Sequence, residues 1–327
     1  MRRWAGTDGG IELTDSTTGT RASASAGGLA ALAIWSTTVA IARSMAGSLG
    51  VLTGPAMALG AGGVLLLAWE MLHRRGPGGM LRMDRRYLLG CGALFVAYEV
   101  CVFGAIGWAP SHDAALVVGL LNYLWPTAMV LLSVPLLGRR ARWTLLPGAA
   151  VALAGTALAV LGDADMDWSK LAAWRAVGPM ILAGAAGLTW GLYSNLVSRW
   201  GPRQGAAGAV PLFLLASAAA LGLMSLLRRE EPVWTATAIL ELSALAVFQS
   251  AAAYALWDKG MRDGNRDVLD PASYFLPVAS TAVAAAYLRV PPGWELIAGC
   301  ALVTAGALIC RQSFAGKPAA PAERPRR

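Results

Sequence analysis

Ten apolar stretches follow one another along this chain, most of them close to the length of one bilayer crossing. They cover residues 25–42, 52–72, 87–108, 114–137, 143–161, 177–196, 206–227, 237–257, 271–290 and 294–310. A helix needs about 20 mainly apolar residues to cross the hydrocarbon core. In lipid every backbone polar group must also find a partner within the fold. The alternating ten-residue segments of a transmembrane barrel do not appear. Charged residues make up 14% of the chain and gather between the stretches, whereas soluble domains carry about 25%. The sequence therefore predicts an all-α integral membrane protein with ten transmembrane helices.

Arginine and lysine favour the cytoplasmic side of short loops. If the N-terminus lies inside, 21 of the 27 fall on the cytoplasmic side, among them Arg74, Arg75, Arg139, Arg140, Arg199, Arg262 and Arg266. Both termini are thus predicted to be cytoplasmic. The formal charge of +8 then reports topology. A nucleic-acid partner is not expected, because its footprint is a basic patch on one face. The first apolar stretch exceeds the 7–15 residues of a signal-peptide core and is read as the first crossing. Cys91, Cys101, Cys300 and Cys310 sit inside apolar stretches without metal-type spacing and read as small buried hydrophobes. His73 and His112 form no cluster, and no metal or cofactor is expected.

The two halves of the chain match. A shift of 151 carries Tyr123 onto Tyr274, Pro126 onto Pro277, Trp143 onto Trp294, Gly148 onto Gly299 and Gly155 onto Gly306. A shift of 156 carries Tyr98 onto Tyr254, and one of 155 carries Trp35 onto Trp190. Residues 25–161 and 177–310 are therefore expected to be two five-helix repeats, flanked by cytoplasmic tails at 1–24 and 311–327. Five is odd, so the copies enter the membrane inverted. Secondary transporters use this arrangement, with the substrate site near the midplane between the halves.

In each half, proline interrupts the apolar run of the fourth helix. Pro126 cannot bond the carbonyl of Asn122, nor Pro277 that of Ser273. Both carbonyls are predicted to be open, which lipid tolerates only beside protein or a water-filled cavity. The inventory expected around such a cavity is Trp35, Tyr98, Glu99, Asn122, Tyr123, Trp125, Pro126, Trp190, Tyr193, Gln249, Tyr254, Ser273, Tyr274 and Pro277. Ser36, Thr37, Thr38, Ser194 and Asn195 lie on the same helices. No lysine or arginine is near a helix centre, so a flat apolar ligand with a few hydrogen-bonding groups suits the site better than a phosphate. Glu99 is an ionisable group inside a membrane segment, a position that points to function. It could carry protons, answer a substrate ammonium, or face an aqueous mouth. Glu241 and Asp258 near segment ends read as structural, and Asp270 before Pro271 reads as an N-cap. Trp108, Trp143, Trp174, Trp200, Trp234 and Trp294 read as interfacial anchors. Gly187-x-x-x-Gly191 reads as a close helix contact.

No Gly-x-Ser-x-Gly elbow, His-Glu-x-x-His pair or Walker sequence occurs, so an enzyme or a nucleotide-driven pump is not expected. Asp163, Asp165 and Asp167 lack the glycine and glutamate of a calcium loop and read as a solvated loop.

The ten helices, the inverted repeats, the Trp35/Trp190 pair and Tyr-x-x-Pro in both halves resemble the drug/metabolite transporter superfamily, in particular its ten-helix EamA-type members. The stretch "NYLWPT" around Asn122, Tyr123, Trp125 and Pro126 is similar to the bacterial aromatic amino acid exporters among them. The resemblance implies a basket-like fold with a central cavity, working as a monomer in the bacterial inner membrane. It implies export of phenylalanine, tyrosine and tryptophan, and of aromatic cations such as methyl viologen, by alternating access. Another small metabolite or drug, or a channel, stays open as the alternative.

Overall fold

The computed structural model describes residues 9–73, 82–161, 174–202, 208–287 and 293–314, and every regular element in them is helical. The first half holds α1 (Gly9–Leu49), α2 (Thr53–His73), α3 (Arg86–Trp108), α4 (His112–Asn122), α5 (Trp125–Leu137) and α6 (Leu145–Leu161). The second holds α7 (Trp174–Trp200), α8 (Val210–Arg228), α9 (Ala236–Asp263), α10 (Arg266–Ala272), α11 (Phe275–Tyr287) and α12 (Trp294–Ser313). Helices occupy each of the ten apolar stretches. Among the described residues 7 helical spans are long and apolar enough to cross a membrane on their own, and Leu145–Leu161 is a shorter apolar helix. The acidic run 163–167, the termini and Arg74, Arg75, Arg203 and Arg289 lie outside the described residues, as do the side chains of Thr38, His112 and Trp174.

Local chemistry sets several boundaries. The Ser111 hydroxyl accepts from the Ala114 N–H at 3.1 Å and Thr235 from the Ala238 N–H at 3.0 Å, capping α4 and α9. Gly138, with φ 64, ends α5 in the left-handed region that glycine enters without steric cost. α1 runs for 41 residues, roughly twice a bilayer crossing. Residues 9–24 contain no proline, so the buried turns, once formed, propagate the helix back into the polar tail.

Both proline-marked helices are broken, but not in the way the sequence predicts. The break precedes Pro126. Leu124 donates to the Leu121 carbonyl at 3.2 Å and Ala128 to the Leu124 carbonyl at 2.9 Å. Pro126 then sits in the first turn of α5, where its missing N–H costs nothing. The Asn122 carbonyl packs against α7 at Gly187, where an added Cβ would lie 2.9 Å from it. In the second half Leu276 donates to the Ser273 carbonyl at 3.2 Å, so that carbonyl is not released. Asp270 is not a cap either: it lies inside α10, whose N-cap is Asn265. At that point a carboxylate partner is a pair of arginines, not a helix N-terminus.

Helices pack in matched sets. α2 packs on α8 and α6 on α12; α3 on α7 is answered by α9 on α1, α5 on α7 by α11 on α1, and α3 on α8 by α9 on α2. The α6–α12 seam depends on small residues: a Cβ at Gly299 would lie 2.7 Å from the Gly155 carbonyl. The large core gathers Phe95, Trp125, Trp190, Tyr193, Tyr254 and Trp257 around the middle of the molecule. Outside, exposed apolar side chains such as Leu72, Leu226 and Ile181 suit a lipid surround. Trp143 and Trp294 stand exposed at helix starts, as interfacial anchors do.

Candidate functional site

A cavity of about 140 Å³ lies where the two halves meet. Its apolar wall is made by Trp35 of α1, Trp125 of α5, Trp190 of α7 and Leu276 of α11. Tyr98 of α3, Tyr123 at the α4–α5 break and Tyr254 of α9 add hydroxyl groups, and Asn122, Gln249 and Ser280 add amides and a further hydroxyl. Eight of the predicted residues are thus brought together: Trp35, Tyr98, Asn122, Tyr123, Trp125, Trp190, Gln249 and Tyr254.

The repeat-related pairs meet here. The Trp35 and Trp190 rings are 5.8 Å apart and T-shaped, and Trp35 meets Tyr254 at 5.3 Å. Tyr98 lies 4.6 Å from Trp190. Aromatic pairs prefer such edge and offset geometries, so the walls brace one another. Gln249 reaches the cavity from a π-helical stretch, Leu245–Ala253, in the middle of α9. An extra residue per turn rotates the side chains that follow it, and such bulges are frequent at functional sites.

Glu99 stands one layer behind. It is 1% exposed, and the Tyr254 hydroxyl donates to its Oε1 at 2.6 Å. The carboxylate is therefore linked to the cavity through a side chain that lines it. Tyr193 is also behind the wall, stacked on Trp190 at 4.9 Å. The Ser273 hydroxyl donates to the Asp270 carbonyl at 2.6 Å. Tyr274 is buried in a separate core with Val130, Val278 and Val303. Pro126 and Pro277 shape the backbone and do not line the cavity. Ser36 and Thr37 turn their hydroxyls back on their own helix, to the carbonyls of Ala33 and Ile34 at 2.7 and 2.8 Å. The floor is Trp125 against Trp257, 5.6 Å apart and T-shaped, with Trp257 Nε1 donating to the Ser194 hydroxyl at 3.3 Å.

Two lining residues, Leu276 and Ser280, are absent from the sequence inventory. Ser280 carried a readable signal, being one of few polar residues in 275–287. Leu276 carried one too: it is the repeat partner of Trp125.

Chemically the cavity offers flat apolar faces and uncharged polar groups. Asn122 Oδ1 is buried and has no hydrogen-bond partner among the described residues. An acceptor left alone out of water costs about 1–3 kcal/mol, so it favours a ligand N–H. Ring faces attract cations as well. No arginine or lysine is among the described residues that line the cavity, so none of them would neutralise a phosphate.

The model of the EamA-like transporter family matches residues 23–161 and again 178–311. Three relatives share the name Aromatic amino acid exporter YddG. That of Escherichia coli K12 is 30% identical over 293 residues, covering 89% of this chain and 97% of its own. That of Salmonella typhimurium 14028s is 31% identical over 287 residues, covering 86% and 94%. That of Ancylobacter novellus is 31% identical over 292 residues, covering 88% and 97%. A solved crystal structure superposes with a TM-score of 0.74 at 31% identity, covering 88% of this chain and 96% of its own.

Proposed function

The chain belongs to the EamA-like transporter family, and from that premise we propose that it exports aromatic amino acids from the bacterial cytoplasm. It is a multi-pass membrane protein and a transporter, not an enzyme. The observation that carries the substrate reading is Asn122 Oδ1, without a hydrogen-bond partner among the described residues, inside an aromatic-walled cavity whose described lining holds no cation. The ring of phenylalanine, tyrosine or tryptophan lies between Trp35, Trp125 and Trp190. Its ammonium donates to Asn122 Oδ1, and Glu99 stands behind the cavity wall, joined to it through the Tyr254 hydroxyl. Its carboxylate accepts from the amide and hydroxyl donors of the wall. The same ring faces suit aromatic cations such as methyl viologen. The names of the three relatives support this cargo.

The protein works by alternating access, as a monomer with ten crossings and both termini inside, in the inner membrane. Two inverted repeats about the cavity supply the two mouths. The double family match and the matched helix contacts support that reading. Another small metabolite of the superfamily, or a channel, is the alternative. Purified protein in liposomes decides between them. Tryptophan should move down its gradient without ATP, with saturation and stimulation by substrate on the far side, while threonine and a nucleotide sugar should not. Faster flux of threonine than tryptophan would overturn the cargo, and flux that never saturates would make it a channel.

A further inference from the structure

Four ion pairs, Arg139–Asp267, Arg139–Asp270, Arg262–Asp258 and Arg266–Asp270, fall together at one end of the molecule, the end that carries residues 138–144 and 258–267. Asp270, 1% exposed, is the centre. It accepts from Arg139 at 2.5 Å and from Arg266 Nε at 2.6 Å. Arg139 also reaches Asp267 at 2.5 Å, and its guanidinium lies 3.8 Å above the Phe314 ring. Arg266 donates onward to the Ser194 carbonyl at 3.1 Å, the Ser198 hydroxyl at 2.6 Å and Asn195 Oδ1 at 3.1 Å. Asn195 in turn donates to the Met129 carbonyl at 2.9 Å. One network therefore ties α5, α7, α10 and α12 together. Beside it Asp258 accepts from Tyr87 at 3.1 Å and from Arg262 at 2.8 Å, tying α3 to α9.

The cluster lies between the cavity and that end. Along α7, Trp190 lines the cavity, Ser194 and Asn195 come one turn later, and Ser198 a turn beyond. Eight residues at 1.5 Å each put the ionic layer roughly 12 Å from the cavity. Each nitrogen of the Arg266 guanidinium has a protein partner, and both oxygens of Asp270 are filled. The cluster is saturated with its own groups, which makes it a fastening and not a place for a ligand.

The repeat register shows that this ionic cluster has no copy in the other half. A shift of 151 places Arg266 on Ala115, Asp270 on Gly119 and Arg139 on Val290. A shift of 156 places Asp258 on Val102 and Arg262 on Ile106. We infer that the Arg139–Asp270–Arg266 cluster is a one-sided ionic lock on the cytoplasmic mouth. At the outer end the polar contacts between the halves are hydrogen bonds, with Glu230 accepting from the Leu52 and Thr53 N–H groups at 3.1 and 2.8 Å, so the cytoplasmic mouth is the more firmly fastened and the carrier rests open to the outside. The inference rests on the alternating-access reading and on the orientation proposed above.

The test is sided labelling of Ser280→Cys in the cavity, on a background with Cys91, Cys101, Cys300 and Cys310 replaced by serine. A membrane-impermeant maleimide is applied to spheroplasts and to inverted vesicles. The parent should react from the outside. Asp270→Asn and Arg139→Gln should each raise the rate from the cytoplasmic side by roughly five- to thirtyfold, the ratio expected when a state loses a modest part of its stabilisation. Arg85→Gln, at an exposed position, should change nothing. Arg139 is at the edge of the network, so its variant keeps the test decidable if Asp270→Asn does not fold. Unchanged sidedness in the folded variants, or a parent that reacts from the cytoplasmic side, overturns the lock. The labelling needs no substrate, so an error in the cargo leaves its result readable.

Discussion

At the residue scale, the proposed site gives Asn122 and Glu99 different parts in recognition. Asn122→Ala removes the open acceptor and should weaken tryptophan binding by about 1–3 kcal/mol, read as a raised half-saturation constant in liposome flux. An unchanged constant would remove Asn122 from the substrate site. Glu99→Gln keeps the size of the side chain and an oxygen for the Tyr254 hydroxyl, but removes the charge. If Glu99 answers the ammonium or carries a proton, the variant should fold normally and transport at least about tenfold more slowly. Tyr254→Phe should mimic it in part, because that hydroxyl joins the carboxylate to the cavity at 2.6 Å. Normal flux in Glu99→Gln would leave the carboxylate a structural group.

At the scale of elements, the broken helices are held by a neighbour, not by proline alone. Gly187 lets α7 touch the α4–α5 break, where a Cβ would lie 2.9 Å from the Asn122 carbonyl and 3.1 Å from that of Leu121. Gly187→Val should force the break away from α7 and cost about 1–3 kcal/mol, as overpacking does. A lower Tm in detergent and a raised half-saturation constant should appear together. A fall in neither would mean that the contact is dispensable. Pro126 matters less than its place in the sequence suggests, since it starts α5 instead of interrupting it. The existence of both breaks was legible from Tyr-x-x-Pro at matched positions. Their phase was not: after a break the helix restarts at a new rotation, set by contacts with α7 and α1. That is why Tyr123 reaches the cavity while its repeat partner Tyr274 turns into the outer core. Trp35 and Trp190 were legible because they lie in unbroken α-helical turns, where one register fixes the face; Tyr98 and Tyr254 kept their match because each follows a π-helical stretch in its own half. Asp270 was misread because Arg139 comes from a segment that only the packing brings near it, and the helix that also carries Arg266 starts before Asp270 and not at it.

For the whole molecule, the proposed topology puts residues 111 and 140 on opposite sides of the membrane. Ser111→Cys should be labelled by an impermeant reagent from outside only and Arg140→Cys from the cytoplasmic side only. Labelling of both from one face would end the ten-crossing, inverted-repeat account. The packing sets are nearly twofold, yet the cavity is not, because Trp125 of one half faces it where the other half presents Leu276. A twofold site would offer every ligand two equivalent poses. That degeneracy would contribute RT ln 2, about 0.4 kcal/mol, to binding, and would leave the ligand free to flip end for end. The unequal pair removes it. The ring of the proposed substrate would have a preferred side, its ammonium and carboxylate fixed addresses, and the hand of the α-carbon would decide whether both can be reached at once. For the proposed cargo, the lopsided cavity should make the carrier a reader of stereochemistry, moving an L-amino acid faster than its mirror image.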